Sequence, residues 1–154
     1  METKSRGFYF NIGKIRNIFA LIHYIYNKTI DMQKNETEAQ KVIDQIIEGI
    51  QDKKGKEIVV VDMLELGNSI CDYFVICQGN SPTQVSAIAG SIEDTVRMNC
   101  RKKPYSIDGL RNSQWVAMDY GDILVHIFQP EVRKFYDIEH LWADAKLTEL
   151  PDLD

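Results

Sequence analysis

At 154 residues the chain suits one domain, large enough to bury a hydrophobic core of its own. Hydrophobic residues at 44% and charged residues at 27% are ordinary for a soluble globular protein, while a net charge of -5 argues against a general binder of nucleic-acid backbone. Three cysteines, Cys71, Cys77 and Cys100, have no paired spacing and read as reduced thiols of a cytoplasmic protein.

The charge is split along the chain. Residues 1–31 hold five Lys or Arg against Glu2 and Asp31, a net of +3, which leaves -8 on residues 32–154. An apolar run from Ile18 to Tyr26 lies in this basic part. It is far short of the roughly 20 residues that span a bilayer, and no small-residue cleavage site follows it. A membrane anchor is therefore disfavoured. Residues 1–36 read instead as an extension, either poorly ordered or upstream of a natural start at Met32.

From Thr37 the elements follow in order. Thr37 and Gln40 have the spacing of a capping box, so a helix is expected to begin there. Its apolar stripe is Ala39, Val42, Ile43, Ile46, Ile47 and Ile50, and Gly55 closes it. Glu57 to Asp62 and Tyr73 to Cys77 are β-branched and aromatic runs typical of buried strands. Ser81, Pro82 and Gln84 open a second helix, whose core face is Val85, Ile88, Ala89, Ile92 and Val96. Arg97, Arg101, Lys102 and Lys103 gather at its C-terminal end, where cations complement the helix dipole. A short strand over 103–107 and a loop follow.

Residues 114–142 are the densest stretch. Trp115 to Met118 and Ile123 to Phe128 are strands joined by the turn Asp119-Tyr120-Gly121-Asp122. Ile123, Val125 and Ile127 share one strand face, with Leu124, His126 and Phe128 on the other. Pro130 opens a helix carrying Val132, Phe135 and Tyr136, and Asp137 caps a further turn with Ile138, Leu141 and Trp142. The order predicts a single α/β (α+β) domain with a mixed β-sheet flanked by helices.

No catalytic constellation emerges. Gly79-Asn80-Ser81 lies between a strand and a helix N-terminus, where an anion can bind, but lacks the glycine pattern of a dinucleotide site and the Gly-Lys-Ser/Thr of a phosphate loop. A nucleotidyltransferase would need an Asp-x-Asp pair on the next strand to hold magnesium, and neither the helix nor that strand supplies one. His23, His126 and His140 have no metal-ligand spacing, so neither metal nor cofactor is expected. Aromatics and arginine concentrated without a nucleophile and base point to a contact surface.

Taken together, Asp72-Tyr73-Phe74-Val75-Ile76 with Gly79-Asn80-Ser81, Trp115 with Asp119-Tyr120-Gly121-Asp122, Val125-His126-Ile127-Phe128, Arg133-x-Phe135-Tyr136 and Glu139-x-Leu141-Trp142 resemble the ribosomal silencing factor (RsfS, or Iojap-like) family. The ordered set covers residues 37–143, with Asp108-Gly109 where the family commonly has Glu-Gly. The resemblance implies a nucleotidyltransferase-like fold without catalytic carboxylates, over residues 37–145, followed by a tail at 146–154. It also implies a non-enzymatic translation repressor acting under nutrient limitation. Such a protein binds the large ribosomal subunit through ribosomal protein fourteen of that subunit and blocks association with the small subunit. Neither membrane nor DNA is an expected partner. The alternative is a nucleotide-binding or nucleotidyltransferase-like enzyme.

The expected contact residues are Tyr120, Asp122, His126, Arg133, Tyr136, Leu141 and Trp142, with Asp72 and Tyr73 as a lesser group. They are expected on the exposed face of the last hairpin and the following helices, so that Arg133→Glu weakens binding with the fold intact. Strand edges and exposed aromatics also suit a homodimer.

Overall fold

The computed structural model describes residues 2–5, 8–11 and 18–153, in two units that meet between Glu38 and Ala39. In the first unit, β1 (Glu2–Ser5) pairs antiparallel with β2 (Phe8–Asn11), and the N-terminal part of helix α1 (Ile18–Asp52) follows. The helix does not begin at Thr37. Between Ile18 and Gly49 the sequence has no proline or glycine to break it. Thr37 sits mid-helix, its hydroxyl donating to the Gln33 carbonyl at 2.8 Å, the back-bonding that threonine makes inside a helix rather than at its start. The expectation of a poorly ordered 1–36 gives way, over 18–36, to helix; residues 12–17 lie outside the described part.

The second unit is built on a six-stranded sheet of order β5-β6-β7-β4-β3-β8. Its strands are β3 (Lys56–Asp62), β4 (Tyr73–Gln78), β5 (Ser106–Asp108), β6 (Trp115–Asp119), β7 (Ile123–Phe128) and β8 (Lys146–Glu149). Only β4 and β7 pair in parallel, Tyr73 opposite Ile123 through Gln78 opposite Phe128; the other pairings are antiparallel. This is the mixed sheet flanked by helices that the sequence predicts. One segment departs from expectation: residues 146–149 are an edge strand on β3 and not part of a tail. Leu150 extends the pairing by donating its N–H to the Ile58 carbonyl at 2.9 Å, and the Asp152 carboxylate accepts the Glu57 N–H at 2.7 Å.

Alternation along the strands gives the sheet two apolar faces. Tyr73, Val75, Cys77, Val116, Met118, Ile123, Val125 and Ile127 face α1 and helix α2 (Pro82–Cys100). Those helices contribute Val42, Ile43, Ile46 and Ile50 from α1, and Val85, Ile88, Ala89, Ile92 and Val96 from α2. The two helices cross closely at Gly49, where an added Cβ would lie 2.8 Å from the Ile92 Cα. Val59, Val61, Phe74, Ile76 and Phe128 form the opposite face. It is covered by Met63 and Cys71 from the connection after β3, by Ile138, and by the half-buried Val132, Trp142 and Ala145.

Candidate partner-binding surface

The second face of the sheet ends at the surface in a chain of rings. Helix α3 (Pro130–Tyr136) starts at Pro130, whose missing N–H costs nothing in a first turn. It ends at Asp137 in the left-handed region (φ 45), with the Asp137 N–H donating to the Arg133 carbonyl. Asp137 is thus the stop of α3; it makes no side-chain cap to the single 3-10 turn of Ile138–His140 that follows. Its carboxylate instead receives His140 Nδ1 at 2.5 Å, which raises the His140 pKa.

Within α3 the inward side carries Val132, Arg133 and Tyr136. Successive residues turn by 100°, so the buried Arg133 shifts the inner face away from Phe135, which is left 80% exposed. The Tyr136 ring lies 4.9 Å from that of Trp115, and Phe135 meets Tyr136 edge-on at 5.0 Å. Trp115 stacks on Phe128 at 5.0 Å; Phe74 packs edge-on against both His126 (5.0 Å) and Trp142 (4.9 Å). A continuous aromatic path therefore leads from the buried sheet to two exposed rings. Such a path holds Tyr136 and Phe135 in place without large side-chain entropy.

His126 is the polar member of this path. It is 5% exposed, and its Nδ1 accepts the Trp115 Nε1–H at 3.0 Å. Burial pushes its pKa down to about 4, so at neutral pH the ring is uncharged and Nε2 holds the proton. Nε2 has no hydrogen-bond partner among the described residues. His126 belongs to the interior and anchors Trp115.

Arg133 is also interior, at 7% exposure, against the expectation of a surface contact. Its Nε and Nη2 donate to the Glu139 carboxylate (3.2 and 3.0 Å) and its Nη1 to the Glu57 carbonyl at 2.7 Å. Glu57 sits at a left-handed φ of 49, where the β3–β4 register shifts, and the guanidinium satisfies the carbonyl that this irregularity exposes. Arg133 ties α3 and the 3-10 turn to the start of β3.

The remaining expected residues divide. Tyr73 and Tyr120 are buried on the helix-covered face, so they too are corrected to core. The Tyr120 hydroxyl has no hydrogen-bond partner among the described residues, and burial raises its pKa. Asp122 is exposed in its side chain, while its carbonyl accepts the N–H groups of Asp72 and Tyr73 at 2.9 and 3.0 Å. Asp72 is half-buried; burial first, then the neighbouring Asp122 and Asp62, raise its pKa. Both lie at the opposite end of the sheet from α3. Tyr136 (49% exposed) and Leu141 (64%) are at the surface, and Trp142 is half-buried. Of the nine, Tyr136 stands at the exposed end of the ring path, Trp142 at its other end against Phe74, and Leu141 is exposed next to Trp142 in the chain. Phe135 and Trp115 both pack on Tyr136 and join the candidate surface, although helical spacing alone assigns Phe135 to the core.

The strand-to-helix loop that suited an anion is closed by its own side chains. Ser81 Oγ accepts the Gln84 N–H at 3.1 Å, and the Gln84 side chain accepts from Asn80 N–H at 2.7 Å while donating to the Lys53 and Lys54 carbonyls. Burial lifts the Cys71 and Cys77 thiols to about 11 and about 12, which keeps them protonated and poor nucleophiles. Among the described residues no group of three or more His, Cys, Asp or Glu is placed to hold a metal ion, and no helix is long and apolar enough to cross a membrane.

A family model described as ribosomal silencing factor during starvation matches residues 36–154. A ribosomal silencing factor of Bacillus subtilis is 39% identical over 99 residues, 64% of this chain and 82% of that one. Another, of Halalkalibacterium halodurans, is 34% identical over 111 residues, 72% and 93% of the two chains. Among solved structures, a protein of Chromobacterium violaceum at 34% identity superposes with a TM-score of 0.64, covering 70% of this chain and 88% of its own.

Proposed function

This chain belongs to the ribosomal silencing factor family, and on that premise we propose that it represses translation in the cytoplasm without catalysing a reaction. It binds the large ribosomal subunit through ribosomal protein fourteen of that subunit, stands in the way of the small subunit, and so lowers translation when nutrients are short. The observation that carries this reading is the exposed pair Phe135 and Tyr136 at the end of a ring path rooted in the sheet. Large aromatic side chains, pre-ordered and partly desolvated, are what a protein contact uses as its anchors. The charge of -8 on residues 32–154 suits a basic ribosomal protein. The closed Ser81–Gln84 loop speaks against the nucleotide-binding alternative.

The test is co-sedimentation of the purified protein with separated large and small subunits, followed by a subunit-joining assay. The unmodified chain is expected to pellet with the large subunit alone and to reduce joining. Phe135→Ala with Tyr136→Ala should weaken that binding by about 30-fold or more, the scale of an interface hot spot of 2 kcal/mol. An unchanged pellet with the folded double variant would remove this surface from the contact.

A further inference from the structure

Beyond that protein contact, we propose that residues 97–105 form a contact for RNA, with Arg101, Lys102 and Lys103 on backbone phosphates and Tyr105 as a stacking platform for a base. From Thr95 to Ile107 the sequence has four cations and no acidic residue, in a chain whose net charge is -5. Cations at a helix C-terminus commonly serve the helix dipole, and Arg97 does so from the last turn while pairing with Asp94 at 2.7 Å. Arg101, Lys102 and Lys103 lie past that turn. Arg101 leaves the helix in the left-handed conformation (φ 55), and all three side chains are exposed. The ion pairs among the described residues are Lys53–Asp52, Arg97–Asp94, Arg133–Glu139 and His140–Asp137, so these three cations have no acidic partner there.

Two residues further, Tyr105 is 82% exposed. Its backbone is fixed, the N–H donating to the Asp119 carbonyl at 2.7 Å, and its ring edge rests against Gly121. The Asp119 carboxylate is engaged by the Gly121 N–H, also at 2.7 Å. An open aromatic ring on a hydrogen-bonded backbone, two residues on from cations without acidic partners, is the combination that single-stranded RNA uses, because phosphates meet the charges and any base can stack. A basic ribosomal protein would be repelled here, which favours RNA as the occupant. The site lies at the far end of β6 from Trp115, about 13 Å away at the rise of a strand, so the two contacts do not compete. That the RNA is ribosomal rests on the proposed function; the RNA contact itself does not.

The probe is a short fluorescein-labelled oligouridylate, followed by anisotropy with the full chain at low salt. Binding is expected, with log affinity falling against log salt at a slope of about -2, as for three phosphates of a single strand. Lys102→Glu with Lys103→Glu should lower affinity at least about tenfold and flatten the slope, and the milder Lys102→Gln with Lys103→Gln should act in the same direction. Tyr105→Ala should lower it about 5- to 100-fold at an unchanged slope, and Tyr105→Phe should restore it. No binding by the unmodified chain, or binding that these variants leave unchanged, overturns the proposal. The Phe135 and Tyr136 variant is read separately by co-sedimentation: its loss of subunit binding with oligouridylate binding intact supports both contacts, and failure of either reading leaves the other standing on its own assay.

Discussion

At the scale of single residues, the side chains that looked most like contacts hold the molecule together. Arg133 is a buried cation whose charge is matched by Glu139 and whose donors satisfy a backbone carbonyl at an irregular point of β3. Arg133→Glu therefore does not test binding, since it places two carboxylates where one ion pair stood. Arg133→Ala is expected to cost about 3–5 kcal/mol in urea denaturation, because it strands the Glu139 charge at 13% exposure. Replacing both partners with leucine should recover much of that loss, and a double variant as weak as the single would contradict the account. His126 gives a second prediction. Its pKa is about 4 in the folded protein against 6.5 in the unfolded chain. Above 6.5 both states are neutral and the contribution is fully present. As pH falls from 6.5 towards 4, the unfolded chain takes up a proton that the folded one refuses, and stability drops by about 3 kcal/mol. Urea midpoints of the unmodified protein and of His126→Phe, compared at pH 7 and pH 4.5, isolate this effect. The variant should lose less stability on acidification; parallel losses would assign it to the carboxylates instead.

At the scale of elements, some of this fold is legible in the sequence and some is not. Ser81, Pro82 and Gln84 announce α2 because a cap is a local hydrogen bond between near neighbours, and the structure makes that bond. The two faces of β7 are legible because strand alternation is local as well. Thr37 misleads for the same reason: a threonine three residues before a glutamine can cap a helix or ride inside one, and only the residues upstream decide. Strand β8 is hidden because all four of its side chains are exposed, so no alternation marks it; its strand identity comes entirely from pairing with β3. The candidate surface is harder still, since the exposure of Phe135 depends on where Arg133 finds its partners. Removing residues 146–154 tests the weight of β8. It would bare the backbone edge of Val59 to Val61 and uncover Ile58, lowering stability by about 2 kcal/mol or more and promoting self-association. A urea midpoint and elution volume equal to those of the full chain would show that β8 contributes little.

At the scale of the whole molecule, the proposed contact assigns the charge distribution and the aromatic surface to different steps of binding. On the proposed function, the net charge of -8 on residues 32–154 steers a basic partner in over distance, and the ring path is the part expected to hold it once it has arrived. Raising salt from about 50 to about 500 mM should slow association with purified ribosomal protein fourteen by roughly tenfold while changing dissociation little. A stopped-flow series in which dissociation carries the salt effect would contradict this division. The lone parallel pair at the middle of the sheet has a further consequence, in time rather than space. Tyr73 pairs with Ile123, so β4 cannot take its place beside β7 until α2, β5 and β6 have been made. A chain emerging from synthesis can close β3 on β4 early, but its centre stays open on one side until the β6–β7 hairpin arrives. Loop closure over that distance is slow compared with forming the hairpin itself. The slow step of folding is therefore expected to be the docking of that hairpin on β4, and not the closing of its own turn at Gly121.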